Sequence, residues 1–156
     1  MQHYLIVGNQ TLSGPKLADA LADRLRRGPS TFFVLVPATR EHDLSRDVMN
    51  ALGGTPVTEQ ETRAAAEQRL ADSLTWIREH GGTADGAVGD PNPLTAIGSV
   101  LKARHFDEII VSTLPTLISK WLHMDLPSRV AHAVDIPVVH VAATPHLEAA
   151  HDREQP

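Results

Sequence analysis

Cysteine is absent from the 156 residues. That excludes a disulfide, a thiolate zinc site and a cysteine nucleophile, and it leaves the redox compartment unmarked. Aromatic residues are scarce, at 4%, so the interior must be built from Leu, Val, Ile and Ala. Basic residues are outnumbered, 14 against 19 acidic, for a formal net charge of -5. This balance argues against a nucleic-acid or acidic-membrane partner, since each favours a basic face. Long hydrophobic runs are missing too: the longest, Phe32 to Val36, is far short of a membrane span. The opening string MQHYLIVGNQ has neither a basic start nor an extended apolar core. No signal peptide is read there, and a cytoplasmic location is expected.

What is present describes one layered domain. Apolar residues make up 42% of the chain, as in a globular protein, and the length suits a two- or three-layer core. Tyr4 to Val7 reads as a buried first strand ending at Gly8. A helix follows from Ser13 or Gly14, with Pro15 in its first turn and Leu17, Leu21 and Leu25 on one face. Phe32 to Val36 is unbroken and apolar, the pattern of a strand covered on both faces, and Pro37 is expected to stop it. Residues 38–57 read as a loop with a short helix. Thr58 to Glu61 fits a capping box, opening a helix whose buried stripe is Ala66, Leu70, Leu74 and Ile77 and which ends at Gly81-Gly82. Ala84 to Val88 reads as an edge strand. Asn92 and Pro93 open a third helix that turns Leu94, Ile97 and Leu101 inward. Ile109 to Val111 is a fourth strand. A fourth helix is expected from Leu117 to Val134, disturbed near Pro127, with core residues including Trp121, Leu122 and Leu126. Ile136 to Val141 is the last strand, with Pro137 suited to an edge. Alternation of strand and helix implies a parallel sheet with right-handed crossovers. Residues 1–143 form the domain, and residues 144–156 read as a polar, flexible tail.

In such a sheet the loop after a central strand is where a ligand sits, which directs attention to Asp107 to Val141. Ser112 and Thr113 place hydroxyls at the tip of strand four. No G-x-S-x-G elbow surrounds them, so hydroxyls that satisfy nearby backbone are favoured over a nucleophile. The start of helix four, capped near Thr116, offers a positive end to a small anion. Nine histidines are scattered without an i, i+4 pair, which favours solvated or hydrogen-bonded rings over a metal site. His140 reads as an interface residue. No base–nucleophile pair is legible, so the residues favour a binding module over an enzyme.

Several strings resemble the universal stress protein family over nearly the whole chain: YLIVGNQ at the start, FFVLV, the GDP turn before helix three, DEIIVS, and the closing RVAHAVDIPVVHV. The resemblance implies a Rossmann-like three-layer α/β/α domain related to the adenine nucleotide alpha hydrolases, with a five-stranded parallel sheet of order 3-2-1-4-5. It implies adenine-nucleotide binding in some members, and a homodimer through the last strand, at Pro137, Val139, His140 and Val141. ATP-binding members carry G-x2-G-x9-G-[ST] after strand four. Here the matching positions are Ser112, Pro115 and Asp125, or Val111, Leu114 and Met124 in the other alignment, and none is glycine. The family's acidic residue after strand one is replaced by Asn9 or Gln10. Glycines let backbone N–H groups close around phosphate. Leu114 and Leu117 add bulk instead, and Pro115 removes a donor. A carboxylate from Asp125 about 4 Å from a phosphate would repel it by about 4 kcal/mol at an effective dielectric of about 20, more than the roughly 1.5–3 kcal/mol a charged hydrogen bond returns. Lys120 and Arg129 would offset part of this if they pointed inward. The expectation is therefore a non-enzymatic dimer with a degenerate nucleotide site and no required cofactor, acting in stress response on an unidentified protein partner. The competing expectation is a binder of ATP, AMP or a small anion at Asn9, Gln10, Val36, Ser112, Thr113, Leu117 and Asp125.

Overall fold

The computed structural model describes residues 1–9, 11–38, 59–113 and 125–143. Among these residues five strands and four helices alternate: β1 (Gln2–Val7), α1 (Pro15–Arg27), β2 (Ser30–Pro37), α2 (Glu59–Glu79), β3 (Thr83–Gly89), α3 (Pro93–Ala103), β4 (Glu108–Thr113), α4 (Leu126–Ala133) and β5 (Val138–Ala142). The strands form one sheet in the order β3-β2-β1-β4-β5, and every pairing is parallel. The chain works outward from β1 to β3, then returns to β4 on the other side of β1. The sheet's topological switch point therefore lies between the carboxyl ends of β1 and β4.

Each face of the sheet has its own core. Tyr4, Ile6, Phe32, Val34, Val36 and Ile110 meet Leu17 and Leu21 of α1 and Ala66 and Ile77 of α2. Leu5, Val7, Phe33, Leu35, Ile109 and Val111 meet Ala96 and Ile97 of α3 and Leu126 and Val130 of α4. This is the two-sided burial expected of continuous apolar strands. The punctuation also acts as the residue types predict. Gly14 caps α1 with Pro15 behind it. Asn92 Oδ1 accepts from the backbone N–H groups of Leu94 and Thr95 at the start of α3. Gly81, past the end of α2, takes φ +93°, a conformation open to glycine.

Pro37 closes β2 as its last residue, in register with Gly89. The missing N–H costs little, because it would face β1, which has already ended at Val7, while Ala38 donates to the Gly89 carbonyl on the β3 side. The last strand begins at Val138 rather than Ile136. Helix four does not run unbroken through Leu117 to Val134. Asp125 stands in the left-handed region (φ 59°, ψ 42°), α4 begins at Leu126, and Pro127 lies in its first turn. The proline starts this helix rather than disturbing it. The capping residue Thr58, the loop read over residues 39–57, Trp121, Leu122 and the tail from Thr144 lie outside the described residues.

Candidate functional site

Gly8 follows β1, and its amide donates to the Leu35 carbonyl. A β-carbon at Gly8 would stand 2.9 Å from Leu12 Cδ2 and 3.4 Å from Ser112 Cβ, so the turn after β1 packs directly onto the tip of β4. Asn9 follows, fully buried. Its Nδ2 donates to the Pro37 carbonyl at 2.8 Å, and its Oδ1 accepts from Arg69 Nη1 of α2 at 2.6 Å. The side chain thus ties the tips of β1 and β2 to a helix.

The hydroxyls at the tip of β4 separate by the strand's two-residue period. Ser112 lies on the α1/α2 face, where its Oγ and Thr11 Oγ1 share a hydrogen bond of 2.5 Å. Thr113 lies on the α3/α4 face, where its Oγ1 and His140 Nε2 share one of 2.7 Å. Both are buried. The His140 ring is exposed at its outer side, but burial of the rest holds its pKa below the ordinary 6.5, because the cation loses solvation there.

The structure therefore brings Asn9 and Ser112 to one crevice and adds Thr11 and Arg69 to it. It sends Thr113 to the other face. Val36 is fully buried in the core against α1 and α2. Asp125 is exposed ahead of α4 and sits at its positive end, and Thr116, the expected cap of helix four, lies outside the described residues. Arg129 is exposed on α4. Gln10 and Leu117 lie outside the described residues. Beside the crevice, between α1 and α2, a groove of about 230 Å³ is lined by Leu12, Ser13, Ala18, Leu21, Arg69, Asp72, Ser73 and Trp76. Sequence reasoning passed over Arg69 and Thr11. Arg69 borders the Ala66–Leu70 stripe, and a cation beside an apolar stripe is the one local hint that it turns toward the sheet.

Chemically, Thr113 and His140 form a hydroxyl–imidazole pair, the kind a nucleophile and its base would make. The Thr113 side chain has no exposed surface, and among the described residues no carboxylate is paired with His140. Among the described residues, too, no three His, Asp or Glu side chains are grouped to hold a metal ion, and no helix is long and apolar enough to cross a membrane.

No family model matches the chain, and no curated protein matches it in sequence. Solved structures do. A universal stress protein from Archaeoglobus fulgidus superposes with a TM-score of 0.58 at 14% identity, over 90% of this chain and 93% of that one. A universal stress protein family protein from Arabidopsis thaliana, with AMP bound, gives 0.60 at 12% identity over 96% and 99%. The Archaeoglobus protein in complex with dAMP gives 0.54 at 15% identity over 90% and 97%. Strand order, layering and nearly full coverage on both sides agree: the chain has the fold of the universal stress proteins.

Proposed function

We propose that this chain is a divergent universal stress protein that works as a non-enzymatic homodimer in the cytoplasm. It acts in stress response by engaging a protein partner, with its ancestral nucleotide crevice turned into structure. The observation that carries this reading is the bonding at the switch point. The Asn9 amide is engaged on both sides, Thr11 and Ser112 bond each other, and Thr113 bonds His140. A ligand entering the crevice would have to replace the Asn9 and Thr11–Ser112 bonds with its own, and Thr113 on the other face is already taken by His140, so the net return on binding is small. The lack of glycine from Val111 to Asp125 points the same way. The dimer rests on β5, an edge strand with half-buried valines and no charged side chain to guard it. Two measurements test the proposal. Isothermal titration with ATP and Mg²⁺ is expected to give no saturable heat, and micromolar binding would overturn the degenerate site. Light scattering is expected to give twice the 16.9 kDa chain mass, and a monomer would overturn the dimer.

A second reading has its own support. Arg69 brings a guanidinium to the tip of β1, a group suited to phosphate or carboxylate, and it also lines the groove beside Leu12 and Trp76. Solved neighbours are described with AMP and dAMP. Under this reading the crevice takes an adenine nucleotide or a small anion, and Arg69→Gln abolishes that binding.

A further inference from the structure

We propose that the two-fold axis of the β5-paired dimer passes through His140, so that two imidazoles face each other across it and acidification drives the copies apart. This rests on the reading above that β5 is the dimer edge, and it adds the register and a control.

The register follows from the backbone. The Ile109 amide donates to the Pro137 carbonyl, and the Ala143 amide donates to the Thr113 carbonyl. With Ile109 opposite Val138 and Thr113 opposite Ala142, the odd-numbered residues of β5 direct their N–H and C=O groups at β4. Val138, His140 and Ala142 therefore direct theirs away from the sheet, into the space a further strand would fill. Two β5 strands related by a two-fold axis must run antiparallel. Outward-facing residues then pair with outward-facing residues. The pairing that engages all five residues of Val138–Ala142 sets Val138 against Ala142 of the second copy and His140 against its own twin. Directly opposed residues project to the same face, with Cα atoms about 5.5 Å apart in such a pair. Val139 and Val141 meet their counterparts on the other face, making an apolar contact that carries no charge.

Among the described residues, nothing neutralises the pair. β4 presents the Thr113 hydroxyl to Nε2 and Val111 alongside. α4, on the same face, carries Arg129 and His132, both exposed and of the same sign as a charged imidazole. Its flanking carboxylates, Asp125 and Asp135, are exposed, and neither makes an ion pair with His140 among the described residues. α1 packs beneath Val139 and Val141 on the opposite face and keeps Lys16, Asp19 and Asp23 there. Neutral rings sit side by side without penalty, whereas two cations at this spacing repel. Burial, which already disfavours the charged ring in one copy, increases when a second copy covers it.

Sedimentation of the full chain at pH 7.5 and pH 5.5, with circular dichroism to confirm the fold at both, tests the control. The dimer dissociation constant is expected to rise about tenfold or more on acidification, the effect of an average uptake of about half a proton per dimer over those two pH units. His140→Gln is expected to dimerise equally at both pH values. Equal dimerisation of the wild type at both values overturns the inference and leaves the dimer standing, as does an acid response that survives in His140→Gln. A wild-type monomer at pH 7.5 overturns the dimer itself, and the inference with it. Register has a separate test, because the chain has no cysteine of its own. His140→Cys is expected to oxidise to a cross-linked dimer, its Cα spacing being within disulfide reach. Val138→Cys is not, since its twin lies strands' length away. The reverse result refutes the axis.

Discussion

Replacing Asn9 with alanine separates a structural role from a ligand-binding one. The substitution deletes the donor to the buried Pro37 carbonyl and the acceptor of the Arg69 guanidinium. An acceptor left buried without its partner costs about 1–3 kcal/mol, and a hydrogen bond to a charged group is worth about 1.5–3 kcal/mol. Arg69 is half-buried and regains part of its solvation, so the two do not add in full. A loss of about 2–4 kcal/mol is expected, or about 5–10 °C in Tm for a domain of this size. Urea unfolding followed by circular dichroism reads it directly, as a lowered midpoint at unchanged slope. Asn9→Asp keeps an acceptor for Arg69 but sets a carboxylate oxygen against the Pro37 carbonyl, so it does not restore the wild-type midpoint. A loss below about 0.5 kcal/mol for the alanine variant, within the range of ordinary surface changes, would refute the view that this amide holds the strand tips together. It would return Asn9 to the role of a side chain kept for something else.

Other consequences are as concrete. Gly86→Ala aims its β-carbon at the Val34 carbonyl oxygen and at Leu70 Cδ1, so β3 must shift from β2. A cost of about 1–3 kcal/mol or more is expected, with hydrogen exchange quickening in Thr83–Gly89. Arg24, buried on α1, donates from Nε to Glu108 Oε1 at 2.9 Å. Arg24→Met is expected to cost about 3 kcal/mol because a mostly buried carboxylate loses its partner, while adding Glu108→Leu recovers most of it. A double variant no better than the single one would contradict this. The His140 pKa lies below its ordinary value, so the unfolded chain binds that proton more readily than the folded one. Stability is complete above about pH 6.5 and falls as pH drops through and below it. The Tm of His140→Gln should decline less between pH 7 and pH 5.5 than that of the wild type.

The architecture was legible because its signals are local. Tyr4–Val7 and Phe32–Val36 are apolar without alternation, which marks strands with two covered faces, and Asn92-Pro93 and Gly81-Gly82 punctuate as their backbones require. Helix four misled for a local reason as well. Leu126 and Val130 continue the spacing of Trp121 and Leu122, so periodicity favoured one long helix, and Pro127 reads equally as a break or as a first-turn residue. Only the left-handed Asp125 decides between them. The crevice was half legible. Asn9, Ser112 and Thr113 were chosen from their places at strand ends, but their partners are set by packing. Arg69 is 60 positions from Asn9 and Thr11 is 101 from Ser112, and no periodicity reports such pairs. Which face each hydroxyl takes depends on register, and a shift of one residue would exchange them.

The polar groups at the switch point serve either the fold or a nucleotide, and the two roles differ in solution. Amide spectra of the isotopically labelled chain, recorded while millimolar ATP and Mg²⁺ are added, examine those groups one by one. The signals of Gly8, Asn9, Ser112 and Thr113 are expected to hold their positions throughout. Saturable shifts clustered on these four residues, reaching half their extent at micromolar nucleotide, would contradict the account.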